Sequence, residues 1–135
     1  MSIEWQERFS LHHEKIDLQH KELFRLAKHV SKLDEETTTK EDIASIFKEF
    51  FNYMKEHFTD EEAYMQSIGY PALAKHQELH QAIIHDVTSI LKEKKNIIAM
   101  QESIKIIARK WLIEHILEND LKIEQWRKET YRAVN

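Results

Sequence analysis

Glycine and proline are almost missing from this sequence: Gly69 and Pro71 are the only examples of each in 135 residues. Turn-dense β architectures need many of both, because their turns demand a positive or a pre-set φ at fixed places. An all-β fold is therefore excluded, and glycine-rich phosphate loops are excluded with it. Cysteine is absent, which removes disulfides, thiolate metal ligands and a cysteine nucleophile and suits the cytoplasm. No apolar run approaches the roughly 18 residues of a membrane span. The opening stretch MSIEWQERFS lacks the basic-then-apolar layout of a secretory signal. Positive charge is not in surplus either. With 20 Lys and Arg against 24 Asp and Glu, both signs interspersed, the net charge is −4. That is no footprint for nucleic acid or an anionic membrane.

What the chain does have is helical periodicity and nine histidines. Its length suits one domain with a real core. Apolar residues recur at helical spacing four times. The first stripe is Ile16, Leu23, Leu26, Ala27, Val30 and Leu33. The second is Ile43, Ile46, Phe47, Phe50, Met54, Phe58 and Met65. The third is Leu73, Ile83, Val87, Ile90 and Leu91, and the fourth is Met100, Ile104, Ile107, Ala108, Trp111, Leu112 and Ile116. Thr38 or Thr39 with Glu41 or Asp42 makes a capping box before the second. Gly69 can close that helix in the left-handed conformation, and Pro71 can open the next. The predicted helices span roughly 17–34, 40–66, 71–94 and 98–118. Short connections make successive helices antiparallel neighbours, which is an up-down-up-down four-helix bundle. The N-terminal arm should lay Trp5 and Phe9 against it, and DLKIEQWRKETYR can add a short C-terminal helix.

Polar residues fill the gaps in the stripes. His20 sits between Ile16 and Leu23, and His57 and Glu61 continue from Met54 to Met65. His76 and His80 bridge Leu73 to Ile83, and His115 extends Trp111. In an antiparallel bundle, the start of the first and third helices and the end of the second and fourth are one end of the molecule. All six side chains therefore converge in one buried layer. Unpartnered, each would cost about 1–3 kcal/mol, against a typical net stability of about 5–15 kcal/mol. A bound cation removes that penalty, so the layer reads as a metal site. Five histidines exceed the four ligands of a tetrahedral zinc. Imidazole with carboxylate suits iron, zinc, copper or nickel, and so many ligands can hold two ions. The stretch HQELH is not the zinc-protease pattern, because Gln77 stands where the general base belongs. Asp120 is the candidate for a further carboxylate. It lies five residues after His115, about 140° round an ideal helix, so either the helix loosens there or Asp120 reaches in from its last turn.

The set IDLQH (His20), HFTDEE (His57, Glu61), HQELH (His76, His80) and WLIEHILEND (His115, Asp120) resembles the bacterial hemerythrins. The resemblance spans nearly the whole chain and implies a single hemerythrin-like domain over 1–135. It also implies a non-haem di-iron centre that binds O2 reversibly. One iron would be held by His76, His80 and His115 and the other by His20 and His57. Glu61, Asp120 and an oxo or hydroxo group would bridge them. O2 would bind at the His20/His57 iron, with NO or azide as other possible small ligands. Phe24, Phe58, Leu112 and Ile116, each a turn or less from a ligand, are the candidate walls of a dry O2 pocket. His12, His13, His29 and His85 have no place in the pattern and are expected at the surface.

Five neutral imidazoles against two carboxylates stabilise high-valent iron less than carboxylate-rich sites do. That argues for O2 storage or delivery and against an enzyme that cleaves O2. A di-iron redox enzyme, or a protein handling nitric oxide or peroxide, would use the same ligands. A sensor of O2 or redox state would have to act through a separate protein partner, which the sequence does not identify.

Overall fold

The computed structural model describes residues 4–34, 36–93 and 96–131. The side chains of Leu91, Ile104, Ala108 and Trp111, which belong to the predicted stripes, lie outside the described residues, as do those of Ser31 and Ile97. Helix α1 runs Glu14–Ser31, α2 Lys40–Ser67, α3 Leu73–Lys92 and α4 Ile97–Ile107. Two π-helical segments follow, π1 at Ala108–Ile113 and π2 at Ile116–Asp120, and α5 runs Leu121–Tyr131. There is no strand among the described residues. Helix α1 packs on α2 and α4, and α2 packs on α3, as an up-down-up-down bundle requires.

The helix ends follow from local chemistry. His13 caps α1, its Nδ1 accepting from Ile16 N at 3.2 Å, so that helix starts three residues before its predicted boundary. Of the capping-box alternatives the structure has Thr39 with Asp42, each side chain bonded to the other's backbone N–H. Gly69, at φ 71°, ends α2. There Gly69 N donates to Gln66 O at 3.1 Å and Tyr70 N to Met65 O at 2.9 Å, the paired bonds of a Schellman motif. Pro71 does not open α3; it sits in the turn, and Ala72 precedes the first helical residue with no side-chain cap.

The largest departure from expectation is in the last third of the chain. The fourth helix does not stop near 118. It passes through π1 and π2 into α5 without a loop, so the expected short C-terminal helix is a continuation of α4.

The stripes form two apolar clusters. The larger includes Leu23, Leu26, Val30, Ile43, Phe47, Phe50, Ile83, Val87 and Ile107, all buried. The smaller holds Leu11, Ile16, Met65 and Ile123, from the arm and the far helix ends. Trp5 and Phe9 lie against the bundle as expected. Phe9 stacks on Phe24 with centroids 5.5 Å apart, and Trp5 meets Phe24 edge-on at 6.3 Å. No described helix is long and apolar enough to cross a membrane.

Candidate metal centre

Between the two apolar clusters lies a layer built from one or two side chains of every long helix. His20 comes from α1, His57 and Glu61 from α2, and His76 and His80 from α3. His115 and Asp120 come from the π region. All seven are buried, none above 5 % exposure. The pairs on α2 and α3 are four residues apart, about 40° round the axis, and so share a face.

His115 and Asp120 share a face for a different reason. A π turn bonds residue i to i+5, so residues five apart stand one above the other. Segment π2 covers the residues between them, and Asp120 is brought under His115, with Oδ1 3.2 Å from His115 Nε2. The helix loosens where the five-residue spacing requires it. Segment π1 does the same for Ile107 and Leu112, which both face the internal cavity described below.

Every histidine turns Nε2 inward, and the two carboxylates divide their oxygens between two halves of the layer. Glu61 Oε1 lies 2.9 Å from His76 and 3.1 Å from His80. Its Oε2 lies 3.3 Å from His57 and 3.5 Å from His20. Asp120 Oδ1 meets His76 at 3.0 Å and His115 at 3.2 Å, whereas Oδ2 meets His20 at 3.2 Å. The donor atoms therefore form two overlapping groups. His76, His80 and His115 make one with the carboxylates, and His20 and His57 make the other. Within each group the atoms lie inside 4.8 Å of one another. Both groups share Glu61 and Asp120.

The charges around these carboxylates are lopsided without a cation. Burial pulls His20 down, but the adjacent Asp120 and Glu61 outweigh it and raise the pKa to about 9. Burial likewise opposes, and Asp120 with Glu61 overcomes, at His76, raised to about 10. His57 is lowered, by burial first and then by its neighbour His20. Burial would raise Glu61, yet contact with four histidines holds it well below its ordinary value. Asp120 is also lowered, with burial and Glu61 opposed by His115 and His20.

Hydrogen bonds do not satisfy the layer. His20 Nδ1 and Nε2, Glu61 Oε2, His115 Nε2 and Asp120 Oδ1 are buried without a hydrogen-bond partner. At about 1–3 kcal/mol each, such atoms rival the whole stability of a domain of this size, about 5–15 kcal/mol. Cations coordinated by the imidazole and carboxylate lone pairs remove the deficit. This donor set suits first-row transition metals, and the two-group geometry fits a pair of them.

A cavity of about 20 Å³ adjoins the layer, room for one water-sized molecule. Its walls include Leu23, Phe50, Met54, Phe58, Leu112 and Ile116, with His20, His57, His115 and Asp120 at one side. Phe58, Leu112 and Ile116 thus stand where the pocket was expected. Phe24 does not: it is four residues past His20 but turned toward the arm, stacked on Phe9. Leu23, three past His20, takes the wall instead.

Some contacting residues were not anticipated. Gln19 Oε1 lies 2.8 Å from His57 Nδ1, Glu62 Oε2 2.9 Å from His80 Nδ1, and the Asn119 amide 3.2 Å from His115 Nδ1. Their signal in the sequence is weak but real: each is a polar residue next to one of the seven in the chain, or one turn away. Of the remaining histidines, His13 is the α1 cap, and His12, His29 and His85 are exposed.

The family model described as "Hemerythrin HHE cation binding domain" matches residues 11–126. Among curated relatives, a bacteriohemerythrin of Clostridium acetobutylicum is 37 % identical, covering 86 % of this chain and 94 % of its own. A myohemerythrin of Theromyzon tessulatum is 34 % identical over 88 % of both chains. A bacteriohemerythrin of Campylobacter jejuni subsp. jejuni is 29 % identical over 91 % of this chain and 93 % of its own. No solved structure matches at a significant level. With its model covering most of the chain and relatives above 30 % identity over nearly full length, the protein belongs to the hemerythrin HHE cation-binding domain family.

Proposed function

We propose that this protein binds O2 reversibly at a pair of iron ions and serves to store or deliver it. His76, His80 and His115 would hold one iron, His20 and His57 the other, with Glu61 and Asp120 shared between them. When bound, the iron pair supplies the electrons that O2 draws on as it binds and returns as it leaves. One observation carries the reading: the internal cavity is lined by both histidines of one half, His20 and His57, but by only His115 of the three in the other. Small-molecule space thus adjoins the half of the layer with two histidines, where an iron has a ligand position to spare. The half with three histidines contributes only His115 to that cavity, and an iron held there would have one position fewer to spare.

The chain's own residues then define what the centre can do. Apolar walls exclude bulk water and anions, which protects ferrous iron. Five neutral imidazoles against two carboxylates place little negative charge on the metals, so oxygen is held and released rather than cleaved. The protein is on this reading a carrier and not a catalyst, and turnover with O2 or peroxide should stay below one per centre.

The test is metal analysis with an optical spectrum of the reduced protein before and after air. Two irons per chain and a visible band that disappears again on removing O2 are expected. A colourless protein with one zinc would overturn the reading. His115→Ala should lose a metal or the band, and if neither changes the ligand assignment is wrong.

A further inference from the structure

The outer nitrogens of the inward-facing histidines have partners of unequal charge, and the chain of contacts behind Gln19 fixes a proton. Gln19 Nε2 donates to Asp60 Oδ2 at 2.7 Å, and Asp60 Oδ2 also meets Lys15 Nζ at 3.4 Å. The oxygen that meets the lysine ammonium, a group with donors only, is an acceptor and takes a second donor from Gln19. Gln19 therefore has one usable orientation, with Nε2 toward Asp60 and Oε1 toward His57. An amide oxygen only accepts, so His57 must carry its proton on Nδ1, 2.8 Å away. The lone pair is left on Nε2, the atom that faces Glu61. The path runs inward from Lys15, whose side chain is 64 % exposed, through Asp60 at 27 %. It then reaches Gln19 at 7 % and His57 at 1 %. On the other half of the layer His80 Nδ1 faces a carboxylate directly, Glu62 Oε2 at 2.9 Å.

We propose that Asp60 and Gln19 lock the tautomer of His57, and that the neutral amide there, set against the Glu62 carboxylate on His80, makes the two metal positions electronically unequal. The proposal rests on the assignment above that His57 and His80 hold different irons. A carboxylate drawing on the Nδ1 proton makes an imidazole a stronger donor through Nε2 and favours the ferric state. An amide draws less. The iron beside the cavity is thus kept the more readily ferrous of the two, and the first electron removed from the fully reduced protein comes from the His76/His80/His115 side. Gln19, Asp60 and Glu62 act as positioning residues, through the histidines.

The experiment uses the full-length iron-loaded protein and the variants Gln19→Glu, Glu62→Gln and Asp60→Asn. Reduction potentials come from spectroelectrochemical titration, and iron inequivalence from Mössbauer spectra of the one-electron-oxidised state. Gln19→Glu should lower the potential and Glu62→Gln should raise it, each with two irons retained. In Asp60→Asn the new side chain can donate or accept, so Gln19 is free to turn over. One of the two irons should then leave to a chelator several-fold faster than in the wild type. Unchanged potentials in fully loaded Gln19→Glu and Glu62→Gln would overturn the inequality, and a wild-type release rate in Asp60→Asn would overturn the lock. Should Gln19→Glu fail to load, Glu62→Gln still decides, because it adds no charge and its own shift in potential is read independently. A wild type that does not hold two irons would instead defeat the ligand assignment, so the two failures are told apart by metal content alone.

Discussion

Leu112 and Phe24 are both apolar and both within a turn of a layer residue, but they do different work. Leu112 forms part of the cavity wall beside His115. Replacing it with Asn would bring a polar group, and with it water, to the place where the proposed function needs ferrous iron protected. Faster autoxidation is expected in a stopped-flow or spectrophotometric time course, by several-fold, with iron content unchanged; an unchanged rate would remove Leu112 from the protective wall. Phe24 is a strut between bundle and arm, 2 % exposed and stacked on Phe9. Phe24→Ala should cost about 3–5 kcal/mol of stability, as large-to-small core changes do. It should leave the autoxidation rate of the remaining folded protein alone. Denaturant titration and the same time course separate the two roles. The wall-or-strut distinction was not legible from spacing, because i+3 and i+4 both lie near the ligand face and only the position of the arm decides between them.

At the scale of the helix, the π turns determine whether the layer closes. Inserting an alanine into π2 would put Asp120 six residues after His115, a spacing that neither an α turn nor a π turn brings to one face. Everything beyond the insertion would also rotate by about 100°, taking Ile123 out of the small cluster. The π turn thus absorbs one extra residue for both the site and the packing below it. Loss of at least one iron is expected, with far-UV circular dichroism largely retained; an insertion variant that still holds two irons would show that the register of π2 is dispensable. Periodicity located the four stripes and the shared layer, because each stripe is read within one helix at one spacing. The π segments could be read only indirectly, as a misfit between the His115–Asp120 spacing and the ideal helix. That the helix then continues to Tyr131 had no signal: the sequence contains no breaker at Asp120 and Leu121, and a short separate helix and a continued one have the same residues there. Gln19, Glu62 and Asn119 stayed hidden because a polar residue beside a ligand looks like any solvated neighbour until the third dimension gives it a partner.

For the whole molecule, protons and metal compete for the same atoms. In the metal-free protein His20 and His76 are held protonated by Asp120 and Glu61, against the pull of burial, with values raised from 6.5 to about 9 and about 10. A basic group raised on folding stabilises the folded state fully below its unfolded value, and that contribution is lost as pH climbs through the folded value. Metal-free stability should therefore fall between pH 6.5 and about 10. The loaded protein behaves oppositely over that window. Its imidazoles must be deprotonated to bind metal, so each metal bound displaces protons and binding strengthens as pH rises. Metal binding to the folded state adds directly to its stability. The gap in thermal unfolding between loaded and metal-free protein should then widen steadily from the lower to the upper end of that window. Metal added near its lower end should also release protons into weak buffer. A gap independent of pH, with no proton release, would mean that His20 and His76 are neutral before metal arrives. In that case the repulsion between Glu61 and Asp120 would be offset by something other than these two imidazolium ions.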